Sequence, residues 1–524
     1  MDPIAASLGI LGFAILGFLS NRIPIALVAI GVALALFFTG VLSLPEAFAG
    51  FGDPTVLFIA ALFVVSESLD ATGVTAWAGQ KVLAAAGSRH TVLLVLICLL
   101  VAVLTALISV NGAVAALLPL VVVVAVRSKI PASQLLMPLA FAAHAGSMLA
   151  LTGTPVNIIV SEFAEENGGR AFSFFEFALV GVPLVVGTIL IVLFLGKRVL
   201  PERSGALMPP DLRWLASELR TQYALEPDAP ALLGPDRGIT EVVVPPRSPL
   251  IGMHVFPGMT TPSGDLVILG ARRGDDHLIG ADVRLLAGDT LLLRGAWDDL
   301  ERHTQGQDVL AVNATAILRR SVPLARGWKR AVTILLAMVV LLATGLVPPA
   351  TAGLIAAGAL VLTKTVGVDQ AYRSISWTTV ILVAGMIPLS TAFTSTGAAD
   401  LIAEWLLAIV GNASAHVALL SICALTIVLG QLISNTATVL VVAPIAIAVA
   451  TSLDVSVMPF MMALTVAGAA SFLTPIATPA NLMVMEPGGY RFGDYWKLGL
   501  PLALLFLTIA TFMVPLIWPF SVTA

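Results

Sequence analysis

Two cysteines, four tyrosines and a charged fraction of 11% are little for 524 residues. Cys98 and Cys423 both sit inside apolar runs, so neither a disulfide framework nor a soft-metal site is indicated, and both read as small core residues. The chain also lacks a Gly-x-Gly-x-x-Gly turn, a nucleophile elbow, a phosphate loop and a His-Cys-Glu cluster, and Ser434 has no base near it in sequence. It is therefore not expected to be an enzyme or to carry an organic cofactor. A net charge of −4 is too small to suggest partners, and no nucleic acid is expected.

What is there is apolar. The chain is 58% hydrophobic with a mean hydropathy of +1.00, and several runs approach the roughly 20 residues that span a bilayer. An all-α polytopic membrane protein is expected, with membrane lipid as its surroundings. The first run, opened by Met1-Asp2-Pro3-Ile4, has no basic flank and ends at Asn21-Arg22 rather than at a small-residue cleavage site, so it reads as a span and not a removed signal.

Apolar segments fall near 4–19, 24–43, 54–70, 91–108, 110–126, 134–160 and 177–198, and again near 331–347, 350–366, 376–394, 415–433, 435–451, 456–483 and 498–518. Weaker stretches at 75–86 and 399–410 hold the same place in each set. Between the sets, hydropathy collapses from about 199 to 330. The match reaches single residues: Ser109-Val110-Asn111 precedes Pro119 by the interval at which Ser434-Asn435-Thr436 precedes Pro444. Gly153-Thr154-Pro155-Val156-Asn157 answers Ala477-Thr478-Pro479-Ala480-Asn481, and Phe174 to Pro183 answers Phe492 to Pro501. The chain is an internal duplication, read as repeats over 1–198 and 331–524.

If 91–126 and 415–451 are re-entrant helical hairpins, each half crosses the membrane an odd number of times and the halves are inverted. Arg22, Lys81, Arg89, Arg127, Lys129, Lys197, Arg198, Arg319, Arg320, Arg326, Lys329, Arg330, Lys364, Arg373, Arg491 and Lys497 then share one face, leaving Arg170 on the other. Counting every hairpin arm as a full span would scatter them. The positive-inside rule makes the shared face cytoplasmic, which puts the 199–330 region in the cytoplasm beneath the cell (inner) membrane and both termini outside.

The hairpin tips and the two Thr-Pro segments are polar breaks at membrane depth. An unsatisfied backbone amide in hydrocarbon costs several kcal/mol, so such breaks survive only inside protein or against a watery cavity. Inverted repeats with discontinuous helices mark a secondary transporter whose site lies near the midplane. The side chains at the breaks are Ser, Thr and Asn, which donate to anionic oxygens and offer oxygens to a hard cation such as sodium. Proton-coupled sites usually carry an intramembrane Asp, Glu or His. Glu67 and Asp70 read here as solvated helix-end charges, and His144 as a packing histidine, since Gly468 holds its place in the second half.

With these residues the sequence resembles the divalent anion:sodium symporter family of the ion transporter superfamily, marked by a Ser-Asn-Thr motif at both tips. The resemblance covers both membrane halves and is specific in the second. It implies that Ser434, Asn435, Thr436, Thr478 and Pro479 face substrate, while Asn435 and the Ala477 carbonyl, with Asn481, serve sodium. In the first half it implies substrate at Asn111 and Thr154 and sodium at Ser109, the Gly153 carbonyl and Asn157. Here the chain departs from the family, because Val110 stands where the middle amide belongs and cannot coordinate. The resemblance also implies a homodimer in which a transport domain moves like an elevator against a fixed scaffold.

Between the halves, 239–244, 265–273 and Gly288 to Gly295 read as strands and 298–302 as a short helix, a small α/β domain. Pro246-Arg247-Ser248-Pro249-Leu250-Ile251-Gly252 and Ala287-Gly288-Asp289 resemble the C-terminal domain of regulators of potassium conductance, the TrkA-C domain. The domain is placed at 236–312 between linkers at 199–235, with a short helix, and 313–330. The resemblance implies a small regulatory ligand, with a structural or dimerising insert as the alternative. The segment from Phe256 to Gly264 is unlike the helix usual there. The expectation is a sodium-coupled importer of a dicarboxylate, citrate or sulfate. A sodium-independent anion exchanger is the alternative, and a potassium channel is disfavoured because no Thr-Val-Gly-Tyr-Gly filter occurs.

Overall fold

The computed structural model describes residues 2–20, 22–86, 89–203, 219, 223, 237–274, 276–278, 283–304, 308–312, 324, 327–398, 401–402, 404 and 414–521. The expected short helix within 199–235 and most of the stretch at 399–410 lie outside them. The chain divides into two compact units, one of residues 1–67, 82–207 and 333–524, the other of 68–81 and 208–332.

Helices of the first half are α1 (Pro3–Ser20), α2 (Ile25–Phe38), α3 (Leu44–Ala47), α4 (Pro54–Ala71), α5 (Val74–Ala86), α6 (His90–Leu107), α7 (Val110–Arg127), α8 (Ser133–Gly146), α9 (Pro155–Glu166) and α10 (Ala178–Val199). After the insert, which carries α11 (Trp297–Thr304), come α12 (Trp328–Thr344), α13 (Pro349–Leu362), α14 (Val368–Ser374), α15 (Trp377–Thr396), α16 (Ala415–Leu429), α17 (Asn435–Ser452), α18 (Val457–Gly468), α19 (Pro479–Met485), α20 (Tyr495–Thr508) and α21 (Val514–Ile517). Among the described residues six helical stretches are long and apolar enough to span a membrane, including Phe492–Ile517, which runs through α20 and a π-turn into α21.

Local chemistry sets the boundaries. Pro54, Pro155, Pro349 and Pro479 are first residues of helices, where the missing N–H costs nothing. Gly397, at φ 74°, ends α15 in the left-handed conformation open to glycine. The duplication is visible in the turns: Ile130 N–H reaches back to Ala125 O at 2.9 Å after α7, as Val455 N–H reaches Ala450 O at 3.0 Å after α17. Lys129 (φ 55°) and Asp454 (φ 53°) take the strained position in those turns. The thiols match too, with Cys98 Sγ on Pro138 O at 3.9 Å and Cys423 Sγ on Ala463 O at 3.8 Å. Both cysteines are buried and unpaired, packed as core residues.

The long apolar runs at 134–160 and 456–483 are broken as expected. Their leading pieces, α8 and α18, are buried at every position. The pieces then cross between halves. The hairpin α6–α7 packs on α8 and the hairpin α16–α17 on α18, whereas α9 packs on α17 and α18, and α19 on α7 and α8. Phe472 ties the crossing together, edge-on to Phe141 at 5.1 Å and to Phe506 at 4.9 Å. Without a hydrophobic force between helices in lipid, close packing carries this association, and small residues permit it. A Cβ on Gly181 of α10 would stand 2.1 Å from Met148 O, and one on Gly499 of α20 would stand 2.3 Å from Phe472 O.

Glu67 corrects one expectation. It is 9% exposed and accepts from Gln370 Nε2 at 2.9 Å, and Asp70 is 7% exposed, so neither is a solvated helix-end charge. The end of α4 is covered by a distant segment, with Val64 packed on Val366 and Ala371.

The inserted domain is a small α/β unit. Strands β1 (Arg237–Val243), β3 (Leu266–Arg273), β4 (Asp276–His277), β6 (Thr290–Ala296) and β7 (Leu310–Ala311) form one antiparallel sheet in the order β4-β3-β6-β1-β7, and β2 (His254–Val255) pairs with β5 (Val283–Arg284). Val242, Ile268, Leu291 and Leu293 share one face of the sheet, and with Ile239, Trp297 and Leu300 they belong to the buried core of the domain. Residues 256–264 form turns and no helix. Asp289 is fully buried and accepts from Arg273 Nε at 2.7 Å, Arg273 Nη2 at 2.8 Å and the Leu286 amide at 2.8 Å. Burial alone would raise its carboxyl, but the guanidinium and the amide hold it below the ordinary carboxylate range.

Two outcomes are expected. Gly181→Ala and Gly499→Ala should each destabilise by about 1–3 kcal/mol through overpacking, read as a lowered unfolding midpoint in detergent. A midpoint matching the parent in both would refute the close approach. Because the folded Asp289 pKa lies below its unfolded value, its contribution is present above the unfolded pKa and is lost as pH falls through the folded one. Calorimetry of the full chain should therefore show Asp289→Asn weakening the inserted domain at neutral pH, with the gap from the parent closing as the medium is acidified.

Candidate functional site

Each hairpin tip is a helix stop followed at once by a helix start. Ile108 leaves α6 in an extended conformation, and Ser109 opens α7 with its Oγ accepting from Gly112 N at 3.2 Å. Ser434 opens α17 in the same way, accepting from Ala437 N at 3.4 Å. These hydroxyls answer orphan amides that lipid could not satisfy, and each keeps its O–H as a donor. The free N–H groups of the two helix starts favour a negative charge nearby.

The second pair of breaks is built on asparagine. Asn157 is fully buried, and its Nδ2 donates to Ser147 O at 2.9 Å and Ala150 O at 2.8 Å, ten and seven residues before it. Asn481, also fully buried, spans the same intervals, donating to Ser471 O at 2.8 Å and Thr474 O at 3.1 Å. Each amide stitches two carbonyls of its broken helix, of which Ala150 O also accepts from Gly153 N at 3.1 Å. In both residues Oδ1 is buried and makes no hydrogen bond of ordinary geometry, although the Asn481 carboxamide also lies against the His144 ring, and each oxygen keeps a lone pair for a cation. Thr154 and Thr478 cap the outgoing helices, accepting from Val156 N at 3.4 Å and Asn481 N at 3.3 Å.

The structure distributes the expected residues over two related clusters. Ser434, Asn435 and Thr436 are half-buried at the second tip, and Asn435 Oδ1 accepts from the Ser471 hydroxyl. A carbonyl oxygen has a second lone pair, so Asn435 can still serve a cation while its Nδ2 donates. Thr478, Pro479 and the Ala477 segment lie at the second break, and α19, which they open, packs on α7 and α8 of the first half. At the first tip, Ser109 shares a cavity of about 20 Å³ with Ser66, Thr152 and Gly153, room for one water-sized occupant. Val110 and Asn111 begin α7 beside it, and Val110 brings no polar atom.

Sequence reasoning missed several partners. Ser471 stands ten residues before Asn481 as Ser147 stands before Asn157, a spacing that the duplication itself displays. Gln431, one turn before the second tip, accepts from Leu473 N at 2.8 Å and donates to Ala470 O at 3.0 Å, tying the tip to the break. His144 is no mere packing residue: it is 2% exposed, and its Nε2 lies 3.1 Å from Thr478 Oγ1. Apart from His144, the hydrogen bonds of the two clusters involve no carboxylate, lysine or arginine among the described residues, and none of those residues forms a group of three or more His, Cys, Asp or Glu.

Replacing either clamp should expose its importance. Asn157→Ala and Asn481→Ala each remove two side-chain hydrogen bonds to carbonyls of the break and should lower stability by about 1–3 kcal/mol, seen in thermal unfolding of the purified protein. A midpoint unchanged in both variants would mean that the stitches are not made.

Comparisons with known proteins agree with this architecture. A family profile described as "Citrate transporter" matches residues 15–467 and 399–522. The uncharacterized transporter YfbS of Escherichia coli (strain K12) is 32% identical over 98% of this chain and 99% of its own length. The probable sodium/sulfate cotransporter 3 of Chlamydomonas reinhardtii is 24% identical over 59% of this chain and 36% of its own length. Among solved structures, the YdaH transporter of Alcanivorax borkumensis shares the fold, with a TM-score of 0.51 at 14% identity and full coverage of both chains. Two membrane repeats with paired helix breaks, matched by the profile through nearly their whole length, identify this multi-pass protein as a transporter that belongs to the citrate transporter family.

Proposed function

We propose that the protein imports a divalent anion, a dicarboxylate, citrate or sulfate, coupled to sodium, by alternating exposure of one site built from both repeats. The observation that carries this reading is the pair of equivalent breaks lined by neutral donors and acceptors. Ser, Thr and Asn groups with helix N-termini can hold oxyanions without a fixed positive charge. A doubly charged substrate at such a site calls for co-bound cations, and the buried Oδ1 atoms of Asn157 and Asn481 are hard oxygen donors of the kind that sodium takes. Relatives named as sodium/sulfate cotransporters support the same pairing of ion and anion. An elevator motion of a homodimer in the cell membrane, with the inserted domain cytoplasmic, completes the proposal.

Val110 favours a second reading. It opens α7 where Asn435 opens α17, so the first half offers one amide fewer. A site with one sodium position weakened suits a sodium-independent exchanger. Reconstituted protein should accumulate labelled succinate, citrate or sulfate when an inward sodium gradient is imposed, and Asn435→Ala should abolish that uptake while eluting as a folded species. Uptake retained by Asn435→Ala would remove the second tip from the site. Uptake that ignores sodium and requires internal anion would replace symport with exchange.

A further inference from the structure

The two breaks share one plan and differ at a place that bears directly on a threonine hydroxyl. Thr154 and Thr478 hold corresponding cap positions, but of the two Thr478 has a ring against it: His144, on α8 of the opposite half, brings Nε2 to 3.1 Å from Thr478 Oγ1. The position that corresponds to His144 in the second half is Gly468, which has no side chain to offer Thr154. The ring is held in place, 2% exposed and edge-on to Phe472 at 5.8 Å and 85°. Since Phe472 is itself wedged between Phe141 and Phe506, the imidazole cannot swing away without repacking the crossing.

A threonine hydroxyl has one hydrogen and two lone pairs. One lone pair of Thr478 already accepts from Asn481 N at 3.3 Å. If the ring carries its hydrogen on Nδ1, Thr478 must donate its own hydrogen to Nε2, and only a lone pair is left to face a ligand. If the ring carries it on Nε2, both lone pairs are filled and the hydroxyl hydrogen is left for an anionic oxygen. The tautomer thus decides whether this cap offers a donor or an acceptor.

We propose that His144 is a positioning residue that donates from Nε2 to Thr478 Oγ1 and thereby turns the Thr478 hydroxyl into a dedicated donor to one end of the anion. The inference rests on the transport reading above and deepens it, because it makes the two anion ends unequal. The end at Thr478 meets a hydroxyl whose hydrogen is aimed, and the end at Thr154 meets one whose hydrogen is free to rotate. An aimed donor loses less orientational freedom on binding, so the effect falls on affinity.

Two measurements test it. The first needs no substrate: in ¹⁵N-histidine protein in nanodiscs, the His144 signals, assigned by their loss in His144→Gln, should report a neutral ring protonated at Nε2. A ring protonated at Nδ1 alone overturns the proposal. The second is uptake of labelled succinate, citrate and sulfate by liposomes under a sodium gradient. His144→Leu, which keeps bulk and loses the donor, should raise KM about tenfold with Vmax nearly kept, the size of one hydrogen bond. His144→Gln, which can place an N–H near the same spot, should restore most of that loss. In a Thr478→Val background His144→Leu should cost nothing more, because there is no hydroxyl left to aim. A penalty that persists there, or Gln no better than Leu, overturns the assignment. Wild-type protein that accumulates none of the three anions would sink the proposed function, while the ring signals would still decide the role of His144.

Discussion

A peptide group left without a partner inside hydrocarbon is too expensive to tolerate, and the whole arrangement of this protein follows from meeting that demand at four helix breaks. Ser109 and Ser434 satisfy amides at the tips, Thr154 and Thr478 satisfy amides at the outgoing helices, and Asn157 and Asn481 satisfy carbonyls between them. The same atoms that make the breaks survivable make them chemically useful. Each capping hydroxyl still has a hydrogen to give, and each clamping carboxamide still has a lone pair on its buried oxygen.

Enclosure is the second half of the solution. Because α8 and α18 are buried along their full length, the breaks they lead into are walled by protein. The crossing of α9 onto α17 and α18, and of α19 onto α7 and α8, means that neither repeat can bury its own break alone. This explains why the chain needs two copies of one design. It also explains why residues from one half, His144 foremost, reach chemistry that belongs to the other.

Departures from symmetry gather at the breaks. Gly153 has Ser147 O where a Cβ would stand, whereas its counterpart Ala477 carries a methyl. Val110 stands where the second half has Asn435, and His144 where it has Gly468. The structural frame, by contrast, keeps its symmetry even in charge. Glu176 accepts from Ser173 N at 2.8 Å and pairs with Arg170, and Asp494 accepts from Arg491 N at 2.9 Å and pairs with Arg203. These capping carboxylates hold the same place in both halves, as Glu176 and Asp494.

Much of this was legible in the sequence, for a physical reason: the bilayer imposes span length, and duplication repeats every local signal twice. Apolar runs, proline starts, the Ser-Asn-Thr tip and the Thr-Pro-x-Asn breaks are all short-range features, and the inserted strands show their alternation directly. Other features depended on contacts hundreds of residues apart. Glu67 looked solvated because nothing nearby in sequence covers it, yet Gln370 does. His144 looked like packing because its partner Thr478 lies 334 positions away. The sequence alone determined that this is a two-repeat membrane protein with neutral polar breaks, since periodicity and spacing are properties of the chain. Only the tertiary structure decided which side chains from opposite halves meet at those breaks, since that depends on how the broken helices cross.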